Sequence, residues 1–381
     1  MRVVVTGAHF TPAQAVIEEL AQFSGIEIIY IGRNKTLEGD KALSVESQVL
    51  PKIGVKFQNL IAGRLQRNLS PYTLISLLKI PIGFIQAFYY LGKDKPDVVL
   101  SFGGYVALPV VFSAWMLSIP VIVHEQTLVV GLANKISNLF ATKIALTYTP
   151  DIKKENSKII LTGNPLRKEL LEDNTPSSEA KNFLTKQQNS KLPLILITGG
   201  NQGSHIINEN IQKILPNLTA SFFVVHQTGD SKYKDFEALT ITKDSLKYKE
   251  RYLVKKWIDV IDWAVILKNI DLAICRAGAN TLYELAFFSV PAIAIPLPYL
   301  YKDEQKINAL YFQKLGLVDV LLQKDLNPTN LLRKIKENSK QINNLKDKIK
   351  QARSIVIIGA AKRLAQEVLI IGEKNAKEAT I

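Results

Sequence analysis

The fold is decided by residues 3–14, which read VVVTGAHFTPAQ. The β-branched run Val3–Val5 is typical of a buried strand, and the glycine-containing segment after it is typical of a loop. Thr11 is then predicted to be the N-cap of a helix, with Pro12 at the first helical position and Gln14 completing a capping box. The stretch therefore predicts a strand, a glycine loop and a helix in immediate succession.

The same succession recurs about one domain later, in PLILITGGNQGS at residues 193–204. Two such openings predict two doubly wound α/β domains, each built on a parallel sheet. The boundary is expected between Asp151 and Arg167, and an amphipathic helix over Ala360–Ile371 is expected to pack back on the first domain. The predicted domains are residues 1–163 together with 355–381, and residues 164–354.

Short apolar runs predict further strands, because the strands of a parallel sheet are buried on both faces. They are Ile26–Ile31, Asp97–Phe102, Pro120–Val123, Phe222–Val225, Asp271–Cys275 and Pro291–Leu297. The uncharged segment Val99–Val123 is long enough to cross a bilayer, but its glycines and prolines favour strand, loop, helix and strand. A polar, lysine-rich surface helix is predicted over Arg333–Arg353.

The composition points to an anionic partner. The 381 residues include 48 Lys and Arg against 34 Asp and Glu, a formal net charge of +14. Such an excess favours nucleic acid, acidic lipid or a phosphorylated substrate. The single cysteine, Cys275, excludes an internal disulfide and a cysteine-based metal site, and it favours a reducing compartment. The apolar run after Met1 is too short for a signal peptide.

Four loops are candidates for a binding site. Ligands of open α/β sheets bind beyond the carboxyl ends of the strands, where helix N-termini suit phosphate. The loops are residues 6–9, 102–109, 199–204 and 276–281. None has the G-x-G-x-x-G spacing of a dinucleotide site or the spacing of a phosphate-binding P-loop. Since no D-x-D pair and no histidines at zinc spacing occur, no metal is expected.

Motifs occur in a fixed order along nearly the whole chain. They are Thr6-Gly7-Ala8-His9, Phe102-Gly103-Gly104-Tyr105, His124-Glu125-Gln126, Gly163-Asn164-Pro165-Leu166-Arg167, Gly199-Gly200-Asn201-Gln202-Gly203, His226-Gln227-Thr228-Gly229 and Cys275-Arg276-Ala277-Gly278-Ala279. Their order and spacing resemble the MurG family of glycosyltransferases. The sequence departs from the family's pattern at Thr127, which replaces an asparagine, and at Asn201, which replaces a serine. It also departs at Val4, Val5 and Ala8, which stand where the family's opening has glycines.

The resemblance implies a GT-B fold, an α/β architecture in which two Rossmann-like, doubly wound domains face each other across a cleft. It implies transfer of N-acetylglucosamine (GlcNAc) from UDP-GlcNAc to a lipid-linked muramyl peptide, lipid I, with inversion at the anomeric carbon. The product is lipid II for peptidoglycan. The N-terminal domain would bind the acceptor and the C-terminal domain the donor, without a cofactor or a tightly bound metal.

The resemblance also implies roles for individual residues. His9 matches the catalytic base, Glu284 the ribose-binding carboxylate, and Arg167 a phosphate contact, with Arg276 as a second possible phosphate ligand. The other donor-binding positions are Thr6, Gly7, Ala8, Thr127, Asn201, Ile258, Ala279, Asn280, Thr281, Leu282, Tyr283 and Gln305. The acceptor-binding positions are His9, Gly103, Gly104, Tyr105 and Glu125.

These assignments have structural alternatives. Thr281 and Glu284 have the spacing of a capping box, so Glu284 could serve only its own helix. The apolar positions Ile258 and Ala279–Leu282 could be core residues, Gln305 an exposed helix residue, and His9 a structural histidine.

Residues 51–95 indicate a membrane-facing surface. They contain seven Lys or Arg, among them Arg64, Arg67 and Lys79, against one acidic residue, Asp94. The same stretch holds many apolar and aromatic residues from Leu74 to Tyr90. The combination suits an anionic membrane surface, although a core helix with a basic edge is the alternative. We expect a peripheral enzyme at the cytoplasmic face of the membrane.

Other functions remain to be weighed. Another GT-B enzyme acting on a glycolipid is the close alternative, because Thr127 and Asn201 lie where substrates are recognised. A nucleic-acid-binding protein is disfavoured, since no aromatic-rich recognition segment and no basic repeat is present. A nicotinamide-dependent oxidoreductase would need a glycine spacing that neither opening has.

Overall fold

The computed structural model describes residues 1–34, 44–63, 71–149, 157–299, 301–342 and 349–378. The chain divides into two compact units. Unit 1 comprises Met1–Lys168 and Ile357–Ile381, and unit 2 comprises Glu169–Val356. The first transition falls directly after the expected segment Asp151–Arg167, of which residues 151–156 lie outside the described ones.

Strands and helices alternate along both units. The strands are β1 (Arg2–Thr6), β2 (Glu27–Gly32), β3 (Lys56–Asn59), β4 (Val98–Ser101), β5 (Val121–Glu125), β6 (Lys143–Leu146), β7 (Ile159–Leu161), β8 (Leu194–Thr198), β9 (Phe223–Gln227), β10 (Tyr252–Lys255), β11 (Leu272–Cys275), β12 (Ala292–Ala294) and β13 (Val318–Val320). The helices are α1 (Phe10–Leu20), α2 (Val45–Val49), α3 (Pro71–Asp94), α4 (Ala107–Met116), α5 (Leu132–Phe140), α6 (Lys168–Leu171), α7 (Ser178–Ser190), α8 (His205–Ser221), α9 (Asp235–Asp244), α10 (Val260–Asn269), α11 (Ala279–Phe287), α12 (Glu304–Lys314), α13 (Pro328–Lys340), α14 (Lys350–Ser354) and α15 (Ala360–Glu378).

The sheet of unit 1 is parallel and has the order β3-β2-β1-β4-β5-β6-β7. Side chains of β1 alternate between its faces: Val3 and Val5 pack with α1 and α15, whereas Val4 packs in the cluster that includes α3 and α4. The β-branched run is therefore buried on both sides, which is why it lacks polar alternation. The last helix, α15, belongs to unit 1 and contacts α1.

The sheet of unit 2 is also parallel and has the order β10-β9-β8-β11-β12-β13. Ile195 and Ile197 of β8 pack against Ile207 and Ile211, which lie on the predicted apolar face of α8. In both sheets the strand order reverses once, between β1 and β4 and between β8 and β11. Crevices at such reversal points are where open α/β sheets bind ligands.

Three local predictions need correction. Helix α1 begins at Phe10 with His9 as its N-cap, so Thr11 is not the cap, and Gln14 instead donates to Glu18 Oε1 at 2.8 Å. Pro12 is tolerated within the first turn because the N–H groups there have no intrahelical acceptor. The strand predicted to run to Leu297 ends at Ala294.

The long helix predicted over Arg333–Arg353 is not one element, since α13 ends at Lys340 and α14 begins only at Lys350. Residues 343–348 between them lie outside the described ones. The uncharged segment Val99–Val123 forms β4, α4 and β5 as predicted. Among the described parts of the chain, no helix has the length and apolarity that a membrane crossing requires.

Candidate functional site

The two glycine loops of unit 1 lie side by side at the reversal point of its sheet. Thr6 pairs with Ser101 in the last register position of β1 and β4. Beyond this pair, Ala8 N–H donates to the Gly103 carbonyl at 2.9 Å. The fold thus brings the predicted residues 6–9 together with 103–105 at one edge of the sheet.

His9 is half-buried at the start of α1, and its side chain makes no capping hydrogen bond. Burial lowers the pKa of His9 to about 4, and the positive charge of Arg33 adds to this effect. The imidazole is therefore neutral at neutral pH and has a nitrogen lone pair that can accept a proton. This is the state that a general base requires.

Arg33 is a residue that the sequence reasoning missed. It directly follows β2, and its Nη1 donates to the Tyr105 hydroxyl at 3.1 Å. Its Nε lies 3.7 Å from Oε1 of the buried Glu46. The available signal was its position, since a residue that follows a strand of this parallel sheet lies at the same edge as His9.

Hydrogen bonds between Glu125 and Thr127 stabilise the loop after β5. The buried Glu125 carboxylate accepts from Thr127 N–H at 3.1 Å, from the Thr127 hydroxyl at 2.7 Å and from Asn134 Nδ2 at 2.9 Å. Burial raises the pKa of Glu125. Asn134 Oδ1 in turn lies against Gly103, whose φ is +70° and where any Cβ would collide with that oxygen. Both predicted residues therefore have structural partners within unit 1.

His124 adds a further polar contact behind this edge. Its Nε2 lies 3.0 Å from the Gly163 carbonyl, which can only accept, so Nε2 carries the proton. Burial lowers the pKa of His124 to about 4, with His9 adding to the effect. Arg167, the predicted phosphate contact, is half-buried in the same unit, directly before α6.

In unit 2 the loop between β8 and α8 is packed against the loop after β9. Gly203 has a φ of +72°, and a Cβ there would collide with the Thr228 carbonyl oxygen. That oxygen also accepts from Asn208 Nδ2 at 3.1 Å. The close approach leaves the loop's backbone directly before the N-terminus of α8, where unpaired N–H groups favour an anion.

A chain of hydrogen bonds between buried polar side chains leads to the Asn208 side chain that contacts Thr228. His226 Nε2 lies 3.0 Å from Asn208 Oδ1, and its Nδ1 lies 2.8 Å from the Tyr252 hydroxyl. Because Asn208 Nδ2 also donates to Asp235 Oδ2, its Oδ1 is the acceptor, and the Nε2 of His226 carries the proton. Burial lowers the pKa of His226 to about 3, so this neutral form persists at neutral pH.

Arg276 places a buried cation beside the same loop. Its Nε donates to the hydroxyl of Ser204, the N-cap of α8, at 3.1 Å, and its Nη1 donates to the Ile295 carbonyl at 3.0 Å. Burial lowers the pKa of Arg276 to about 10, so the guanidinium stays charged at neutral pH. Within the described ranges no carboxylate pairs with it, which favours an anionic ligand there.

Hydrogen bonds connect the predicted nucleoside-binding segments. Gln227 Oε1 accepts from Ile258 N–H at 3.0 Å, and its Nε2 lies 3.4 Å from the Gly200 carbonyl. Trp257 Nε1 donates to the carbonyl of Asn201, which lies exposed at the loop. The fold thus joins the positions around Asn201 and Ile258, and Gln227 is the connecting residue that the site prediction missed.

Glu284 does not cap its own helix. Helix α11 begins at Ala279 with Gly278 as its N-cap, so Thr281 lies inside the first turn and the capping-box alternative is wrong. The buried Glu284 carboxylate instead accepts from Trp263 Nε1 at 2.8 Å. Leu282 and Tyr283 are completely buried, as core packing requires, whereas Asn280 and Thr281 are half-buried.

Gln305 lies in the first turn of α12, and its Oε1 accepts from Leu297 N–H at 2.8 Å. One turn later, Asn308 Nδ2 lies 3.4 Å from the Ala277 carbonyl, which connects α12 to the loop after β11. The predicted donor positions are thus divided between the units: Thr6, Gly7, Ala8, Thr127 and Arg167 belong to unit 1, and the others belong to unit 2. In the described ranges, no group of three metal-ligating side chains is found.

Two family models match the chain. The glycosyltransferase family 28 N-terminal domain matches residues 3–146, and the glycosyltransferase family 28 C-terminal domain matches residues 194–368. Each match falls largely within one of the two units.

Curated relatives match over most of the chain. One from Clostridium botulinum (strain Kyoto / Type A2) is 34% identical, with 87% of each chain covered, and one from Acetivibrio thermocellus is 30% identical, covering 99% of this chain and 100% of its own. Both are named UDP-N-acetylglucosamine–N-acetylmuramyl-(pentapeptide) pyrophosphoryl-undecaprenol N-acetylglucosamine transferase.

Solved structures match the fold. The structure of Acinetobacter baumannii MurG has a TM-score of 0.70 at 25% identity, with 97% of this chain and 99% of that chain covered. A UDP-GlcNAc 2-epimerase from Neisseria meningitidis, bound to UDP-GlcNAc, has a TM-score of 0.61 at 14% identity, with 97% and 100% covered, which shows the fold alone. The predicted class, two Rossmann-like parallel-sheet domains of the GT-B type, is confirmed.

Proposed function

The chain belongs to the family of UDP-N-acetylglucosamine–N-acetylmuramyl-(pentapeptide) pyrophosphoryl-undecaprenol N-acetylglucosamine transferases, and on this premise we propose that it converts lipid I to lipid II. The observation that carries the proposal is the match over nearly the full length to relatives of one named activity. The motif loops at the carboxyl edges of both sheets support it, because that is where such folds bind substrates.

The reaction forms a bond between an acceptor hydroxyl oxygen and the anomeric carbon of GlcNAc, and it breaks the bond from that carbon to the diphosphate. The hydroxyl loses its proton to the His9 imidazole, and the electron pair of the broken bond leaves with UDP. Attack from the face opposite the diphosphate inverts the anomeric centre. A positioned base of this kind contributes about 10²–10⁴-fold to the rate.

Unit 1 binds the acceptor in this proposal, and unit 2 binds the donor. The neutral His9 supports the assignment of unit 1, because the acceptor hydroxyl is the group that must be deprotonated. Gly103, Gly104 and Tyr105 belong to the neighbouring loop and contact the acceptor. Glu125 and Thr127 contribute by holding the β5 loop against Asn134 rather than by direct contact.

The diphosphate of the donor binds at the N-terminus of α8, beside the guanidinium of Arg276. Charge develops on this group as it leaves, so a helix N-terminus and a buried cation stabilise the transition state. Arg167 contributes a further phosphate contact. The ribose hydroxyls bind the Glu284 carboxylate, and the uracil lies near Ile258 and Ala279.

The exposed apolar side chains of α3, α4 and α5 support binding to a membrane surface. These three helices pack side by side in unit 1. Their exposed apolar side chains, which we call the apolar face, are Ile82, Ile85, Phe88, Tyr89, Trp115, Met116, Leu132, Ile136 and Leu139. Single exposed apolar residues are ordinary, but this many on three helices that pack together favour an interaction site.

A lipid-linked acceptor would explain the apolar face, because unit 1, which binds the acceptor in this proposal, must reach the head-group layer of the membrane. Its side chains would enter the interface, and nearby cations such as Lys135 would contact anionic lipid. Arg64, Arg67 and the side chains of residues 71–78, which the sequence analysis included in this surface, lie outside the described ones. We place the enzyme at the cytoplasmic face as a peripheral protein.

A sugar-transfer assay tests the function. The full chain is incubated with UDP-GlcNAc and a short-chain lipid I analogue, and the disaccharide product and released UDP are quantified. UDP-glucose and UDP-N-acetylgalactosamine serve as donor controls, and a glycolipid without the muramyl peptide serves as acceptor control. Product formed only with UDP-GlcNAc and the lipid I analogue is expected, whereas transfer restricted to the glycolipid would refute the proposal.

A further inference from the structure

Trp263 is a buried tryptophan of unit 2, and no motif of the sequence includes it. Trp263 lies on α10, is 7% exposed, and donates its indole N–H to Glu284 Oε2 at 2.8 Å. Glu284 lies on α11 and is 6% exposed. A buried hydrogen bond therefore links two helices through the carboxylate that the proposed function assigns to the ribose.

The position of Trp263 along α10 also connects Glu284 to the segment before that helix. Its backbone N–H donates to the carbonyl of Asp259, the N-cap of α10, at 2.7 Å. Ile258 directly precedes that cap, and its own N–H is held by Gln227. One residue thus joins the Glu284 carboxylate to the segment proposed to lie against the uracil.

The chemistry explains why such a contact matters. The terminal torsion of a glutamate side chain is broad, so an unrestrained carboxylate samples many orientations. Hydrogen bonds to an ionised acceptor are about twice as strong as neutral ones. Because both side chains are buried, water does not readily replace the indole donor.

We propose that Trp263 is a positioning residue for the donor, whose indole N–H fixes the Glu284 carboxylate in the orientation that accepts the ribose hydroxyls. The inference rests on the proposed function, because it takes Glu284 as the ribose ligand. Trp263 itself does not touch the substrate. Its contribution is the ordering of the carboxylate before the nucleotide arrives, which strengthens binding without altering the transfer step.

The test replaces Trp263 with Phe, which removes the N–H donor and keeps an aromatic ring. Calorimetry of the full chain compares the affinity for UDP with that for 2′,3′-dideoxyuridine diphosphate, which lacks both ribose hydroxyls. For Trp263→Phe we expect an affinity for UDP about tenfold weaker, equivalent to about 1.4 kcal/mol. The affinity for the dideoxy nucleotide and kcat are expected to stay within about twofold, since neither involves the ribose contact.

A matched control measures the effect of losing any buried hydrogen bond in this unit. Thr219 is buried near the far end of α8, and its hydroxyl donates to the Leu215 carbonyl at 3.1 Å. Thr219→Val is expected to lower the melting temperature while leaving the affinity for UDP unchanged. Equal losses of affinity for both nucleotides in Trp263→Phe would show that Trp263 serves packing alone, and would overturn the inference.

Three further variants separate this inference from the proposed function. Glu284→Gln combined with Trp263→Phe should bind UDP no more weakly than Glu284→Gln alone, because the tryptophan acts through the carboxylate. Trp263→His keeps a ring N–H, so it should bind UDP more tightly than Trp263→Phe, and the reverse order would overturn the inference. Unaltered UDP binding in Glu284→Gln would remove the ribose assignment itself, while the transferase activity could still stand.

Discussion

Alanine substitutions at two glycines of the same loop give a sharp test of the unit 2 site. Gly200 and Gly203 both have left-handed backbones, with φ of +79° and +72°. They differ in the space around them: a Cβ at Gly200 meets nothing within 4 Å, whereas one at Gly203 would collide with the Thr228 carbonyl oxygen. The pair therefore separates the cost of the backbone conformation from the cost of the collision.

The magnitudes follow from these geometries. A left-handed conformation costs a non-glycine residue about 1–2 kcal/mol, partly offset by the stiffer unfolded chain. We therefore expect Gly200→Ala to lower the free energy of unfolding by about 1 kcal/mol. Gly203→Ala adds an overpacking cost of about 1–3 kcal/mol. The Thr228 carbonyl cannot move away at low cost, because Asn208 Nδ2 donates to its oxygen and the Thr228 N–H donates to the Lys255 carbonyl.

Denaturant unfolding followed by tryptophan emission measures the difference. Trp257 and Trp263 both report on unit 2, and a Trp115→Phe background removes the signal from unit 1. Gly203→Ala should unfold at clearly lower denaturant than Gly200→Ala and should bind UDP more weakly, since its backbone precedes the N-terminus of α8. Equal midpoints for the two variants would refute the close packing of this loop against Thr228.

Three other variants test separate parts of the proposal. His9→Ala should lower kcat by about 10²–10⁴-fold while UDP affinity persists, and near-normal turnover would remove His9 as the base. Arg33→Gln removes a positive charge that lowers the pKa of His9, so this pKa should rise. The acidic limb of the pH profile of kcat/KM should then move to higher pH. An unmoved limb would count against His9 as the base or against the influence of the Arg33 charge on its pKa. Ile85→Glu should weaken binding to anionic vesicles, whereas the equally exposed Ile241→Glu in unit 2 should not, and equal binding by both would argue against the apolar face.

Much of the architecture could be predicted from local patterns. Runs such as Val3–Val5 and Leu194–Ile197 are apolar without alternation because both faces of these central strands are covered by helices. The strands that were missed are short and mostly lie toward the sheet edges, where one side of the strand has no partner. They are β3, β6, β7, β10 and β13. Four of them mix polar and apolar residues, and β7, although apolar, is only three residues long, so none stands out from loops.

The positions of the candidate loops were also predictable, because all strands of a parallel sheet end at one edge and glycine loops follow those ends. The first residues of the helices were harder to predict. Thr11 has the composition of an N-cap, yet the chain enters α1 one residue after His9. Thr281 and Glu284 have capping-box spacing, yet α11 begins at Ala279. The N-cap position depends on where the preceding strand and loop end, and amino-acid composition alone does not determine that point.

What the sequence determined by itself is the two-unit parallel-sheet fold and the set of loops at its ligand-binding edges, since both follow from periodicity and glycine spacing along the chain. Only the tertiary structure decided what the site side chains contact. Arg33 meets Tyr105 across 72 positions, and Trp263 meets Glu284 across 21. Such pairs depend on how strands and helices are placed beside each other in space, and local sequence carries no measure of that distance.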